Sequence, residues 1–453
     1  GASEIDSILS SLSNATINAG GSAVYNLGSE VSIIGSDGND VINSRAVNVT
    51  INGGVGNDSL NITGSGNVIE FGAGDGNDTV LGFKESSTLQ ITSGSISGNS
   101  VDGSDLIFKV GSGSIRLRES ASSKINIIDA GGNLTTQIYG PQTVHNYSDN
   151  GNTLIATGEY NDIISNQGAD VTIDAGAGND FIYNGGANST IDAGAGDDTV
   201  NNDDRNVMLN AGAGDDVIYN TYGYNSTLLG GDGNDTVQNY GENVTVNGGA
   251  GNDYILNGTT FSDSSNSTID GGNGNDTINN WGSYVTIRGG NDDDSIFISE
   301  YCNNVMIEYG AGDGNDTVFA FANSDGVYSN TLRITSGTIG RNSVVGNDLI
   351  FYIGNGSIRL QERAGTKIDI LDADGNFTSK YYAGATINNS NNDKLIATGE
   401  YNDCISNDGA NVTIDAGDGN DSITNSLGKT VSINAGNGDD YVHVAADKVT
   451  VRG

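Results

Sequence analysis

Residues 175–220 read AGAGNDFIYNGGANSTIDAGAGDDTVNNDDRNVMLNAGAGDDVIYN, and this stretch decides the fold. A glycine-rich turn ending in Asp180 returns at Asp198 and again at Asp216, 18 residues apart each time. Two residues past each Asp stands one aliphatic side chain: Ile182, Val200 and Ile218. Four past it stands Asn184, Asn202 and Asn220. A segment such as STID or NVML then leads to the next turn. One period therefore holds two short strands and two turns. Each strand turns one aliphatic residue inward and its neighbours outward. Glycines permit positive φ in the turn and close backbone approach.

Carried outward along the chain, the same ruler fits fifteen turns. They end in Asp40, Asp58 and Asp78; then Asp162, Asp180, Asp198, Asp216, Asp235, Asp253, Asp276, Asp294 and Asp316; then Asp403, Asp421 and Asp440. Gly stands four residues before every one except the first, where Ser36 replaces it. Gly stands two residues before all but Asp162, Asp294 and Asp403, where Tyr160, Asp292 and Tyr401 break the rule. The residue just before is always Asn or Asp. A second Asn column, Asn188, Asn206, Asn225, Asn243 and Asn266, precedes the second strand. A lone rung of this kind cannot bury its apolar stripe, whereas stacked rungs can. The expectation is an all-β, parallel β-solenoid with rungs of about 18 residues, strands about 4.8 Å apart, and both Asn columns pointing inward to bond along the stack.

A longer repeat of about 240 residues is superposed. GAGDGNDTV occurs at Gly72 and Gly310, and LIATGEYND at Leu154 and Leu395. SGSISGNSVDGSDLIFKVGSGSIRLRES from Ser93 matches SGTIGRNSVVGNDLIFYIGNGSIRLQER from Ser336. The alternation of apolar and polar residues makes these segments strands joined by turns. The reading divides the chain into an N-terminal cap with the first rungs (1–34), rungs (35–80), a first β-rich module (81–155), rungs (156–318), a second, homologous module (319–395), and rungs with an open C-terminal end (396–453). Ile5, Ile8, Leu9 and Leu12 at helical spacing behind Ser3 predict a short capping helix over residues 3–12.

Composition narrows the function. Asp and Glu number 57 against 18 Lys and Arg, a net charge of -39. That imbalance argues against nucleic acid, where affinity comes from neutralised phosphates. No apolar run is long enough to span a membrane, so no membrane insertion is expected. Cys302 and Cys404 occupy different rung positions and read as isolated thiols. His145 and His443 stand in unrelated contexts, and no nucleophile, base and oxyanion site converge, so the reading is not an enzyme. Tyr222, Tyr224, Tyr240, Trp281 and Tyr284 gather near the second turn and suit stacking on sugars.

The turns GGVGNDSLN at Gly53, AGAGNDFIY at Ala175 and GGAGNDYIL at Gly248 resemble the calcium-binding nonapeptide of the RTX (haemolysin-type) proteins, G-G-x-G-x-D-x-U-x. The resemblance recurs in register over most of the chain. It implies a right-handed, β-roll-like parallel solenoid, with calcium between stacked turns held by the fifteen Asp carboxylates and by backbone carbonyls. The chemistry agrees. Calcium is a hard cation that takes six to eight oxygens, and carboxylates stacked a few ångströms apart repel unless a cation lies between them. One departure matters: every second nonapeptide, as in GGANSTIDA or YGENVTVNG, has lost the motif. The expectation is a single row of up to about 12 calcium ions on one edge, weakest beside Tyr160, Asp292 and Tyr401, and an Asn-laddered, metal-free turn on the other. DADGN at Asp372 and DAGGN at Asp129 read as ordinary turns.

The functional expectation is an extracellular structural or adhesin-type repeat segment of a large bacterial surface or secreted protein. In this reading it leaves the cell by a type I route and is folded and rigidified by calcium. Partners would be calcium, other copies of the chain end to end or laterally, or cell-surface glycans. Two alternatives stand: a self-assembling S-layer or filament subunit, and the secretion and folding segment of a hydrolase whose catalytic domain lies elsewhere.

Overall fold

The computed structural model describes residues 7–147, 154–259, 264–321, 323–324 and 328–453. All regular structure among them is strand. In the repeat, Thr199–Asn202 lies parallel to Val217–Asn220, with Thr199 opposite Val217 and Asn202 opposite Asn220. Thr190–Ala195 lies parallel to Met208–Ala213 in the same manner. Each strand pairs with its counterpart one period away, so the chain winds as a parallel β-solenoid. Val200, Ile218, Leu209 and Ala211 are fully buried. Fully burying one Ile or Val is worth about 1.5–3 kcal/mol, and one rung holds too few such residues to stand alone. The inward column is continuous, which is what the stack adds.

The described chain divides into two compact units. In the first, one sheet of parallel strands runs Ser7–Ser10, Ala23–Asn26, Val41–Ser44, Ser59–Ile62, Asn77–Leu81 and then Gly113–Arg118. Asp105–Val110 and Ile96–Asp102 continue it as antiparallel strands. The other sheet ends the same way, with Ser123–Ile128 parallel to Thr88–Ser93 and antiparallel to Leu134–Tyr139. The second unit repeats this ending. Gly356–Leu360 is parallel to Asn315–Phe319, and Asp348–Ile353 with Ile339–Val345 is antiparallel beyond it. Phe108 meets Tyr139, and Phe351 meets Tyr382, edge to face at 4.8 Å in both. Two further four-stranded sheets follow, one of them beginning with Thr386–Asn389 and the other with Leu395–Gly399.

Two expectations are corrected. Residues 8–12 are not helical: Ser7–Ser10 is a strand, paired with Ala23–Asn26. Ile8 packs on the core, whereas Leu9 and Leu12 are exposed at 76% and 68%. The strand satisfies backbone groups that an uncovered sheet edge would leave unpaired. Residues 1–6, with Ser3 and Ile5, lie outside the described residues. The second Asn column does not point inward. Asn188, Asn206, Asn225, Asn243 and Asn266 are exposed and hold φ near +57°. Asn is there because it tolerates the left-handed conformation that the bend requires.

Candidate calcium edge

Each glycine turn stacks on the one before it with almost no room. Gly212 has φ +118°, and a Cβ there would fall 1.9 Å from the carbonyl oxygen of Gly194. Only glycine satisfies both the conformation and the contact. The two residues that close the turn then bond in opposite directions along the stack. The Asn or Asp side chain before the motif Asp accepts the N–H of its counterpart in the following turn, as Asp197 Oδ1 does from Asp215 at 3.0 Å and Asn234 Oδ1 from Asn252 at 2.9 Å. That is why no other residue type occurs at this position.

The motif Asp bonds the other way. Asp58 accepts the N–H of Asp40, and Asp78 that of Asp58. The N–H groups of Asp180, Asp198, Asp216, Asp235, Asp253, Asp276 and Asp294 each reach the Oδ1 of the next motif Asp, ending at Asp316, over 2.7–3.1 Å. Asp421 and Asp440 accept in the same way. The first Asp of a block docks instead on the preceding module, Asp162 on the Gln142 N–H and Asp403 on that of Ala385, at 2.5 Å each. Asp40 differs, because Ser36 donates both its N–H and its hydroxyl to it. All motif Asp residues except Asp440 are buried, at 3% exposure or less.

The second carboxylate oxygen carries the chemistry. In Asp58, Asp198, Asp216, Asp235, Asp253, Asp276, Asp294, Asp403 and Asp421, Oδ2 is buried with no hydrogen-bond donor. It faces a second oxygen. A single point beside Gly230 lies 2.4 Å from Asp235 Oδ2 and 2.3 Å from the Gly248 carbonyl of the next turn. Beside Gly248 and Gly271 the same convergence recurs, with Asp253 Oδ2 and Gly271 O, then Asp276 Oδ2 and Gly289 O, all within 2.5 Å. Two buried oxygens of like sign repel in a medium of low dielectric. Burial pushes Asp58, Asp198, Asp235 and Asp253 up to about 6, Asp78, Asp216, Asp276 and Asp294 to about 7, and Asp316 to about 8. The neighbouring acids push the same way, and the donated N–H pulls back.

These residues fit a hard divalent cation. The donors are carboxylate and carbonyl oxygens, without nitrogen or sulfur, which suits calcium over zinc or copper. Among the described residues no site gathers three His, Cys, Asp or Glu side chains, so backbone carbonyls have to complete the shell. Bound calcium supplies the positive charge that the facing oxygens lack.

A sequence profile of the RTX calcium-binding nonapeptide repeat matches residues 34–67, 157–191, 174–206, 220–240, 229–259 and 261–282. The chain carries RTX calcium-binding repeats. No curated protein matches it. Among solved structures, the extracellular lipase LipA from Serratia marcescens is similar at 15% identity and a TM-score of 0.14. The match covers 75% of this chain and 42% of that one, so the chain spans less than half of the lipase's length.

The edge opposite the RTX turns closes on itself. Asn184, Asn202, Asn220, Asn239 and Asn257 are fully buried, and each donates Nδ2 to the Oδ1 of the next over 2.7–2.9 Å, ending at Asn280. Each also caps its own bend, as Asn239 does with Gly241 O at 3.0 Å and Gly241 N at 3.1 Å. The amides spend both donor and acceptor on the protein. The departures from the RTX pattern also have structural reasons. Tyr160 bonds through its hydroxyl to Asn99, and Tyr401 to Asn342 at 3.0 Å, so each fastens the first turn of a block to the hairpin of the preceding module. Asp292 keeps the glycine-like φ of +80°. Sequence reasoning missed the split use of each carboxylate, although the invariant Asn or Asp before it was the signal that turns bond to turns. His145 and His443 are exposed, Cys302 is buried with its thiol against the Asn280 carbonyl, and Cys404 is exposed; the two cysteines do not form a disulfide.

Proposed function

We propose that the chain is an extracellular, calcium-rigidified structural or adhesin-type repeat segment of a larger secreted or surface protein, with no catalysis of its own. The observation that supports this most is the row of buried carboxylate oxygens facing carbonyls across successive turns. Such a row opposes stacking until cations occupy it, so folding and metal binding become one event. In this reading the chain is unfolded where calcium is scarce, leaves the cell by a type I system, and folds outside. The RTX repeats support that route, because they typify proteins secreted in this way. A stack held in register over many rungs gives reach and stiffness, which a spacer or adhesin needs and a catalyst does not.

Circular dichroism in calcium and in EGTA tests the proposal. Strand signal should form cooperatively in calcium and be lost in chelator. Unchanged, cooperative folding in chelator would sink it.

A further inference from the structure

One outer face of the second unit differs in chemistry from the face behind it. Its first strands, from Phe181–Asn184 to Asn315–Phe319, present two outward residues per rung, and none of these is charged. The corresponding strands of the first unit are uncharged as well, with Ala23, Tyr25, Val41, Asn43, Ser59 and Asn61 outward, so what sets this stretch apart is its denser set of aromatic side chains. The outward residues of the second strands, by contrast, include Asp192, Asp270, Arg288 and Glu308. At its margin Asp203 accepts the Tyr183 hydroxyl.

The face is also ordered. Over the first six of these rungs Phe181 and Tyr183, Val217 and Tyr219, and Tyr254 and Leu256 make every second rung apolar, and the last two rungs are mixed, with Ser295 beside Phe297 and Thr317 beside Phe319. The rungs between carry a hydroxyl and an amide: Thr199 and Asn201, Thr236 and Gln238, Thr277 and Asn279. The cross-strand register places these pairs in straight columns. The apolar rungs therefore repeat at two strand spacings, about 10 Å. Beside Tyr254, Leu256 and Asn279 the face dips into a shallow hollow with Trp281, the only tryptophan in the chain, and Phe297, whose rings lie 5.9 Å apart.

We infer that this face is a binding platform for a neutral, extended polysaccharide. Aromatic rings offer flat apolar surface to the C–H faces of sugar rings, and the interleaved amides and hydroxyls meet sugar hydroxyls. The spacing of the apolar rungs is the length of a disaccharide unit in an extended β-linked chain. Charge selects the same ligand. The surrounding carboxylates repel a polyanion, and a polycation finds no partner on the face itself. A second copy of the chain fits less well, since amide rungs interrupt the apolar surface and two strongly acidic bodies would have to meet. The inference deepens the adhesin reading and rests on it for an extracellular ligand.

The test uses the full chain in calcium, with folding confirmed by circular dichroism. Affinity electrophoresis in gels containing a soluble β-glucan, a galactomannan or polygalacturonate is read together with Trp281 fluorescence during titration with the matching oligosaccharides. Retardation by a neutral polymer, a change in Trp281 emission, and about tenfold weaker binding in Tyr219→Ala and Phe297→Ala are expected. Asp192→Asn, on the other sheet, should bind as the parent does. The inference is overturned if no neutral polymer retards the folded chain, if only polygalacturonate does, or if Tyr219→Ala abolishes a dimer seen by light scattering instead. A chain that folds without calcium yet binds the neutral polymer would refute the calcium reading alone.

Discussion

Replacing Asn239 by Ala isolates the energetics of the edge that needs no metal. Asn239 is fully buried and makes four hydrogen bonds. Its Nδ2 reaches Asn257 Oδ1 at 2.8 Å and Gly241 O at 3.0 Å, and its Oδ1 accepts from Asn220 Nδ2 at 2.7 Å and from Gly241 N at 3.1 Å. Alanine removes all four. Asn220 keeps its bond to Gly223 O, and Asn257 keeps those to Ser264 O and Asn280. The N–H of Gly241 loses its acceptor in a buried bend. A buried group left unpaired costs about 1–3 kcal/mol, and each of the three further lost bonds about 1 kcal/mol net, so the loss should be about 4–6 kcal/mol. Urea unfolding at saturating calcium measures it, and hydrogen exchange around Gly241 localises it. Asn201→Ala, on the outward side of the same sheet, should change stability by less than about 0.5 kcal/mol. The number of bound ions should be the same in both variants. A loss below about 1 kcal/mol for Asn239→Ala would refute the idea that the amide ladder holds this edge.

Asp253→Asn keeps an oxygen for the Asp235 N–H and puts an N–H₂ where the unpaired oxygen faces Gly271 O. The fold should survive at that turn while calorimetry finds fewer bound ions, and an unchanged ion count would contradict the assignment. Gly212→Ala places a Cβ 1.9 Å from Gly194 O at φ +118°, so it should cost about 3 kcal/mol or more and raise the calcium needed for folding. The pH dependence of the calcium-free chain follows from the raised carboxylates. They titrate near 3.8 when unfolded and at about 6–8 when folded. The folded state therefore binds more protons between about pH 4 and 8, and its stability falls as pH rises through that window. Strand signal of protein stripped of calcium and exchanged into metal-free buffer should be greater near pH 5 than near pH 8, and the reverse order would overturn the burial argument.

The winding of the chain was legible because its signal is repetitive. One aliphatic residue at a fixed offset from each Asp locates the core, and the glycines locate the bends. What stayed hidden depends on how one turn meets the next. That Asp216 gives one oxygen to the N–H of Asp198 and leaves the other bare follows from the stacking offset, which no single repeat encodes. The Asn188 column looked equivalent to the Asn184 column, yet one bears a left-handed φ at the surface and the other is fully buried; composition cannot separate these uses of Asn. Helical spacing near the N-terminus misled because Ser7–Ser10 answers to the sheet edge beside it and not to its own periodicity. Tyr160 and Tyr401 read as defects in the motif, since Asn99 and Asn342 lie about 60 residues earlier in sequence.

The central claim is that the cations line one edge of the stack, between turns that end in Asp, and are absent from the Asn edge. Crystals grown in calcium, with anomalous scattering mapped near the calcium edge, test it most directly. The account predicts a row of peaks between successive turns such as those of Asp216, Asp235, Asp253 and Asp276, each beside an Oδ2 and a glycine carbonyl, and none along Asn184–Asn280. Peaks on the Asn side, or ordered RTX turns with no peaks between them, would contradict it.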